Sequence, residues 1–158
     1  MMEVDISGIW GELSLPDLLG LERAVFDAHR AVAAAPEDYG LTRTQLDRDY
    51  ACYSYENPAW LYAAARKLLF GLGRMEEQVE FCGPDAHKLK ECCEYLPAEP
   101  GGKSFVTLVG AGLSPEELAR QAENRALDDL PVITLKPDAS EDLRLFFRFS
   151  AALWEKLD

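Results

Sequence analysis

Apolar residues recur along this chain with two different periods, and the places where the period changes mark its elements. Phe105-Val106-Thr107-Leu108-Val109 is an unbroken β-branched and aromatic run closed by Gly110-Ala111-Gly112. Such a run predicts a strand buried on both faces, followed by a sharp turn. Ser114, Pro115 and Glu117 then supply a cap, a proline at the first helical position and an acid three residues after the cap. Leu118, Ala122, Ala126 and Leu130, with Leu127 beside them, give the helix that follows one apolar face. Pro131 ends it, and Val132 to Leu135 predicts a second strand, parallel to the first through a right-handed crossover.

The remaining segments attach to this unit. Val4, Ile6 and Ile9 alternate imperfectly with polar residues, so Glu3 to Ile9 predicts a first strand. Ser14, Pro16 and Asp17 open a helix whose stripe is Leu18, Leu21, Val25, Ala28, His29 and Val32; Pro36 and Gly40 mark its exit. A short helix is expected over Thr42 to Tyr53. Asn57-Pro58 restarts a helix with Leu61, Ala65, Leu68 and Leu69 inward, ending at Gly71 and Gly73. Glu77 to Cys82 alternates Val79 and Phe81 with acids and predicts a strand. Pro84 to Tyr95 predicts a helix with Leu89, Cys92 and Cys93 inward, and Pro97 to Gly102 a loop. Lys136-Pro137-Asp138 turns the chain, and Ser140 caps a terminal helix over Glu141 to Leu157. That helix carries two stripes: Leu143, Phe146, Phe147, Leu153, Trp154 and Leu157, and a second of Leu145, Phe149 and Ala152. The second stripe predicts burial on two sides, or a homodimer formed through this helix. The order of elements predicts one α/β domain over residues 1–158. About four strands, mainly parallel, sit in a three-layer α/β sandwich, with an extra helical layer between Thr42 and Gly73.

The chain has 158 residues, 48% hydrophobic and 28% charged, which is one ordinary globular domain. Its net charge of −12 argues against nucleic acid and anionic membranes and favours a basic protein partner. MMEVDISG shows no signal peptide, no run approaches the ~20 apolar residues of a membrane span, and four cysteines with Cys92-Cys93 adjacent fit a reducing cytoplasm.

Five of the six tyrosines fall within 24 residues: Tyr39, Tyr50, Tyr53, Tyr55 and Tyr62, with Trp60 among them and Asp47, Asp49 and Glu56 interleaved. Tyrosine and tryptophan join a large apolar body to a polar tip, the combination enriched at binding interfaces. The expected partner surface is Tyr39, Asp47, Asp49, Tyr50, Tyr53, Tyr55, Glu56 and Trp60. PEDYG at 36–40 resembles a stretch of barstar-type nuclease inhibitors, which also place acids and aromatics on their binding face. The leading expectation is a non-catalytic cytoplasmic protein, immunity- or regulator-like, that binds a protein. The alternative is a small enzyme or ligand-binding domain with its site near Gly110–Gly112. There GAGLS resembles the opening of sirtuin deacylases, and the run from Phe105 to Leu118 resembles a strand–helix piece of CobW-type metallochaperone GTPases. Glu116 and Glu117 in the first helical turn oppose a phosphate at that turn.

Cys82, His87 and Cys92 follow the spacing of the last three ligands of a CCHC zinc knuckle, but Val79 stands where the first cysteine would be. On a helix, positions 87 and 92 diverge by about 140°. Structural cysteines, no metal and no cofactor are therefore expected, with Cys52 and Cys93 in the same class. His29, on an apolar helix face, is expected to be a buried histidine with one hydrogen bond rather than a general base.

Overall fold

A computed structural model of the chain describes residues 2–50, 57–71, 76–84, 86, 104–110, 112–127 and 129–157. Its strands are β1 (Glu3–Asp5), β2 (Glu76–Cys82), β3 (Ser104–Gly110) and β4 (Val132–Lys136). They form one sheet in the order β1-β4-β3-β2, with β2, β3 and β4 parallel and β1 antiparallel to β4 at the edge. Its α-helices are α1 (Leu15–Leu19), α2 (Glu22–Ala34), α3 (Arg43–Asp49), α4 (Pro58–Gly71), α5 (Pro115–Ala126) and α6 (Ser140–Lys156). Short 3-10 turns occupy Ser7–Ile9 and Pro36–Tyr39.

Every residue of β3 is buried, because the sheet is covered on both sides there. Phe105 and Val109, with Ile133 and Leu135 of β4, enter the main core with apolar residues of α2, α4 and α6. Val106, Leu108 and Val132 point the other way and meet Leu118 of α5. α4 and α2 both pack on α6.

The terminal helix is buried on two sides within one chain. Leu143, Phe146 and Leu153 are buried, and so are Leu145, Phe149 and Ala152 of the second stripe. Tyr50 stacks on Phe149 with ring centroids 4.6 Å apart, and His29 meets the same ring edge-on at 5.6 Å. The second stripe is thus covered by the chain's own residues.

Several local expectations are corrected. The first strand stops at Asp5, whose Oδ1 accepts from Ser7 N at 2.8 Å and starts the 3-10 turn. The helix opened by Ser14 breaks after Leu19 and restarts at Glu22. Ser140 is the first helical residue rather than the cap; the extended cap residue is Ala139. Leu127 is 82% exposed instead of lying on the apolar face of α5. The helix expected over Pro84 to Tyr95 and the loop over Pro97 to Gly102 lie almost wholly outside the described residues.

Other start signals act as read. Ser14 with Asp17, and Ser114 with Glu117, are capping boxes. Asn57 Oδ1 accepts from Ala59 N at 2.9 Å at the head of α4. Thr42 and Gln45 form a further box that starts α3. No helix among the described residues is long and apolar enough to cross a membrane.

Candidate functional site

The acidic-aromatic segment divides into a buried half and an exposed half. Trp60 and Tyr62 lie inside α4 and are fully buried, and Tyr50 is buried against Phe149. Tyr50 and Trp60 are therefore core residues rather than contact residues. Their rings were drawn inward because α4 and the end of α3 pack on α6, so the segment's apolar bodies complete the core. Tyr53, Tyr55 and Glu56 lie outside the described residues. Asp47 is exposed, and Asp49 and Tyr39 are half-buried.

What remains is an acidic face. Asp49 Oδ2 accepts from Arg48 Nη2 at 2.8 Å and from Arg48 Nε at 3.0 Å. The Arg48 guanidinium is held above its ordinary range first by that hydrogen bond, then by the charge of Asp49, and further by Asp142 and Glu141. The same carboxylates reach Tyr50, whose hydroxyl is pushed up chiefly by burial and then by Asp49 and Asp142. The end of α3 and the first turn of α6 thus share one field. The acids of α6 also suit its N-terminus, where backbone N–H groups favour negative charge. Lys156 Nζ lies 5.8 Å from the centre of the Tyr39 ring, which places Tyr39 at the opposite end of α6 from Glu141 and Asp142.

The turn at Gly110–Gly112 is built for packing. A Cβ on Gly110 would meet both methyls of Leu118 at 3.0 Å, so glycine lets α5 sit close on β3. Gly112 takes the left-handed conformation, with φ of 78°. Beyond it, Glu117 Oε1 accepts from Ser114 N at 3.4 Å and Ser114 Oγ accepts from Glu117 N at 3.2 Å. The helix's own side chains use these amides, which an anion would otherwise bind.

Cys82 pairs in register with Gly110 and donates to Val109 O at 3.6 Å; burial, then Glu80, raises its thiol above the ordinary value. This is the opposite of an activated nucleophile. His29 Nε2 lies 2.7 Å from Tyr50 O, a buried bond tying α2 to the end of α3. Among the described residues no group of three or more His, Cys, Asp or Glu side chains could hold a metal ion. Cys52, His87, Cys92 and Cys93 lie outside them.

Two charged side chains to which the sequence analysis gave no role, Glu77 and Arg66, are buried together. Glu77 is 1% exposed and receives hydrogen bonds from Tyr62 and Thr107, the latter at 2.5 Å. Arg66 Nε lies 3.3 Å from its other oxygen, and the guanidinium sits over the rings of Tyr62, Phe70 and Trp154. The signal was available. Glu77 has the same parity as Val79 and Phe81, so a two-residue period puts it on their inward face. Sealed from solvent, the cluster binds β2, β3, α4 and α6 together and offers no access to a substrate.

No protein-family model, no curated protein and no solved structure matches this chain.

Proposed function

We propose that the chain is a non-catalytic cytoplasmic protein that docks a basic protein partner, as an immunity or regulatory protein does. Its scaffold is an α/β sandwich with α5 on one face of the sheet and α4 and α6 on the other, and with α1 to α3 as additional helices. The contact surface is Asp47 and Asp49 of α3 with Glu141 and Asp142 of α6.

The observation that carries this reading is electrostatic. Three carboxylates from two elements, Asp49 of α3 and Glu141 and Asp142 of α6, act on Arg48, and Asp49 and Asp142 line one small cleft, in a chain of net charge −12. Arg48 and Arg144 pair with Asp49 and Glu141 within the patch, and the remaining excess of negative charge steers an oppositely charged partner. The test is Asp47→Lys with Glu141→Lys, both at exposed positions. A partner captured from the source cell with the wild-type chain should rebind the double variant at least tenfold more weakly, with the thermal melt unchanged. Equal rebinding by the folded variant would overturn the reading.

A further inference from the structure

A groove of about 480 Å³ opens between α5 and the edge of the sheet, on the face away from the main core. Its long wall is one side of α5: Pro115, Leu118, Ala122 and Ala126, spaced three or four residues apart, with Ala119 beside Leu118. Its floor is the outward side of β4, Val132 and Thr134. The opposite wall is β1 with the 3-10 turn, where Glu3 stands opposite Lys136 and Asp5 opposite Thr134. A Cβ on Gly8 would lie 2.4 Å from Val132 O, so the turn lies directly on β4.

Length limits the occupant. The 12 residues of α5 make a wall about 18 Å long at about 1.5 Å per residue. Its length matches about five extended residues at about 3.3 Å each. The alanines of α5 let a backbone approach closely, and Ser7 and Thr134 place hydroxyls along it.

Charge sets the chemistry. Glu123 stands on the helix wall, Glu3 and Asp5 on the strand wall, and Lys136 is the one cation among the lining residues. Carboxylates on both walls over an apolar floor suit a chain that alternates apolar and basic side chains. We infer that this groove binds a short extended basic peptide segment of a protein partner. It is a second surface, separate from the acidic face of α3 and α6, and it stands or falls independently of that face.

The test is titration of the isotope-labelled full chain with the peptide Val-Lys-Val-Lys-Val, read by amide chemical shifts. Val-Glu-Val-Glu-Val, butylamine and protein dilution serve as the other arms. The expected result is saturable shifts at Ser7, Ala119, Ala122 and Thr134 with the basic peptide, and none with the acidic one. Ala119→Trp, which fills the groove from an exposed position, and Glu123→Lys should each weaken binding at least tenfold while the remaining spectrum stays folded. Several outcomes overturn the inference. These are absence of shifts at millimolar peptide, equal response to the acidic peptide, equal affinity for butylamine, or unaltered binding by both folded variants. Groove shifts that depend on protein concentration alone would assign the groove to a second copy of the chain. Shifts confined to Asp47, Asp49 and Glu141 would remove the groove site and leave the acidic face standing.

Discussion

Replacing Glu77 with leucine removes the one described carboxylate that is almost wholly enclosed in the core, and its surroundings fix the size of the effect. Glu77 is 1% exposed and Arg66 only 6%, and their nearest atoms are 3.3 Å apart. At an effective dielectric constant of about 20, that separation corresponds to an attraction of about 5 kcal/mol. Most of it offsets the cost of taking both charges out of water, so the pair contributes little net stability compared with an apolar one. Removing one partner is different. Glu77→Leu leaves the Arg66 charge enclosed and the Tyr62 and Thr107 hydroxyls without their acceptor. A broken buried pair costs about 3–5 kcal/mol. In a chain of this size that lowers the melting temperature by roughly 6–20 °C, at about 2–4 °C per kcal/mol. Adding Arg66→Met removes that enclosed charge, and the residual loss is that of the hydroxyls left without this acceptor. Urea titrations of the wild type, both single variants and the double variant, followed by circular dichroism, give the coupling. The double variant should be more stable than Glu77→Leu alone, with a favourable coupling of about 2 kcal/mol or more. A Glu77→Leu protein within about 1 kcal/mol of wild type would refute the reasoning, because random substitutions away from such features cost that little. So would a double variant whose losses simply add.

Leu145→Glu with Phe149→Glu should abolish folding, since each change replaces about 1.5–3 kcal/mol of apolar burial with an enclosed carboxylate. A folded double variant of unchanged stability and mass, by circular dichroism and sedimentation, would contradict the burial of both stripes. Stability should also fall in alkali. Tyr62 is pushed well above the ordinary phenol range by burial and then by the charge of Glu77, and Tyr50 by burial and then by Asp49. Their stabilising contribution is complete below the unfolded value of about 10 and declines as pH rises beyond it, by about 1.4 kcal/mol per pH unit for each tyrosine. Urea midpoints that stay flat between pH 9 and 11 would contradict this, and Tyr62→Phe should remove about half of the slope. Asn57→Ala should cost about 1 kcal/mol through loss of the α4 cap, read as a drop of about 2–4 °C in thermal melts. An unchanged melt would show that the bonds to Ala59 and Trp60 are not stabilising.

Local chemistry made most of the scaffold readable. The Phe105–Val109 run and the Ser114-Pro115-Glu117 start specify strand and helix through side chains within a few residues of one another, and both elements form where expected. Asn57-Pro58 works in the same way. Where reading failed, the deciding partner was distant. Asp5 stops β1 by bonding Ser7, and Gly8 must lie flat on Val132 of the neighbouring strand. Tyr50 and Trp60 look like contact residues in a list of rings, yet Phe149, 99 positions beyond Tyr50, takes up one of them. The acidic face was legible only as charge density. Glu141 and Asp142 join Asp49 where the end of α3 comes beside the head of α6, which no spacing in the sequence encodes. Glu77 was legible through its parity with Val79 and Phe81, but its charge argued for the surface until three buried partners could be seen.

Hydrogen–deuterium exchange on the chain with and without its captured partner tests the docking account most directly. The account predicts slowed exchange in α3 from Arg43 to Asp49 and in the first turn of α6 around Glu141 and Asp142. The protection should weaken as salt is raised, because exposed charges are screened within about 8 Å at physiological ionic strength. Protection confined to other elements, with exchange of α3 and the head of α6 unchanged, would contradict it.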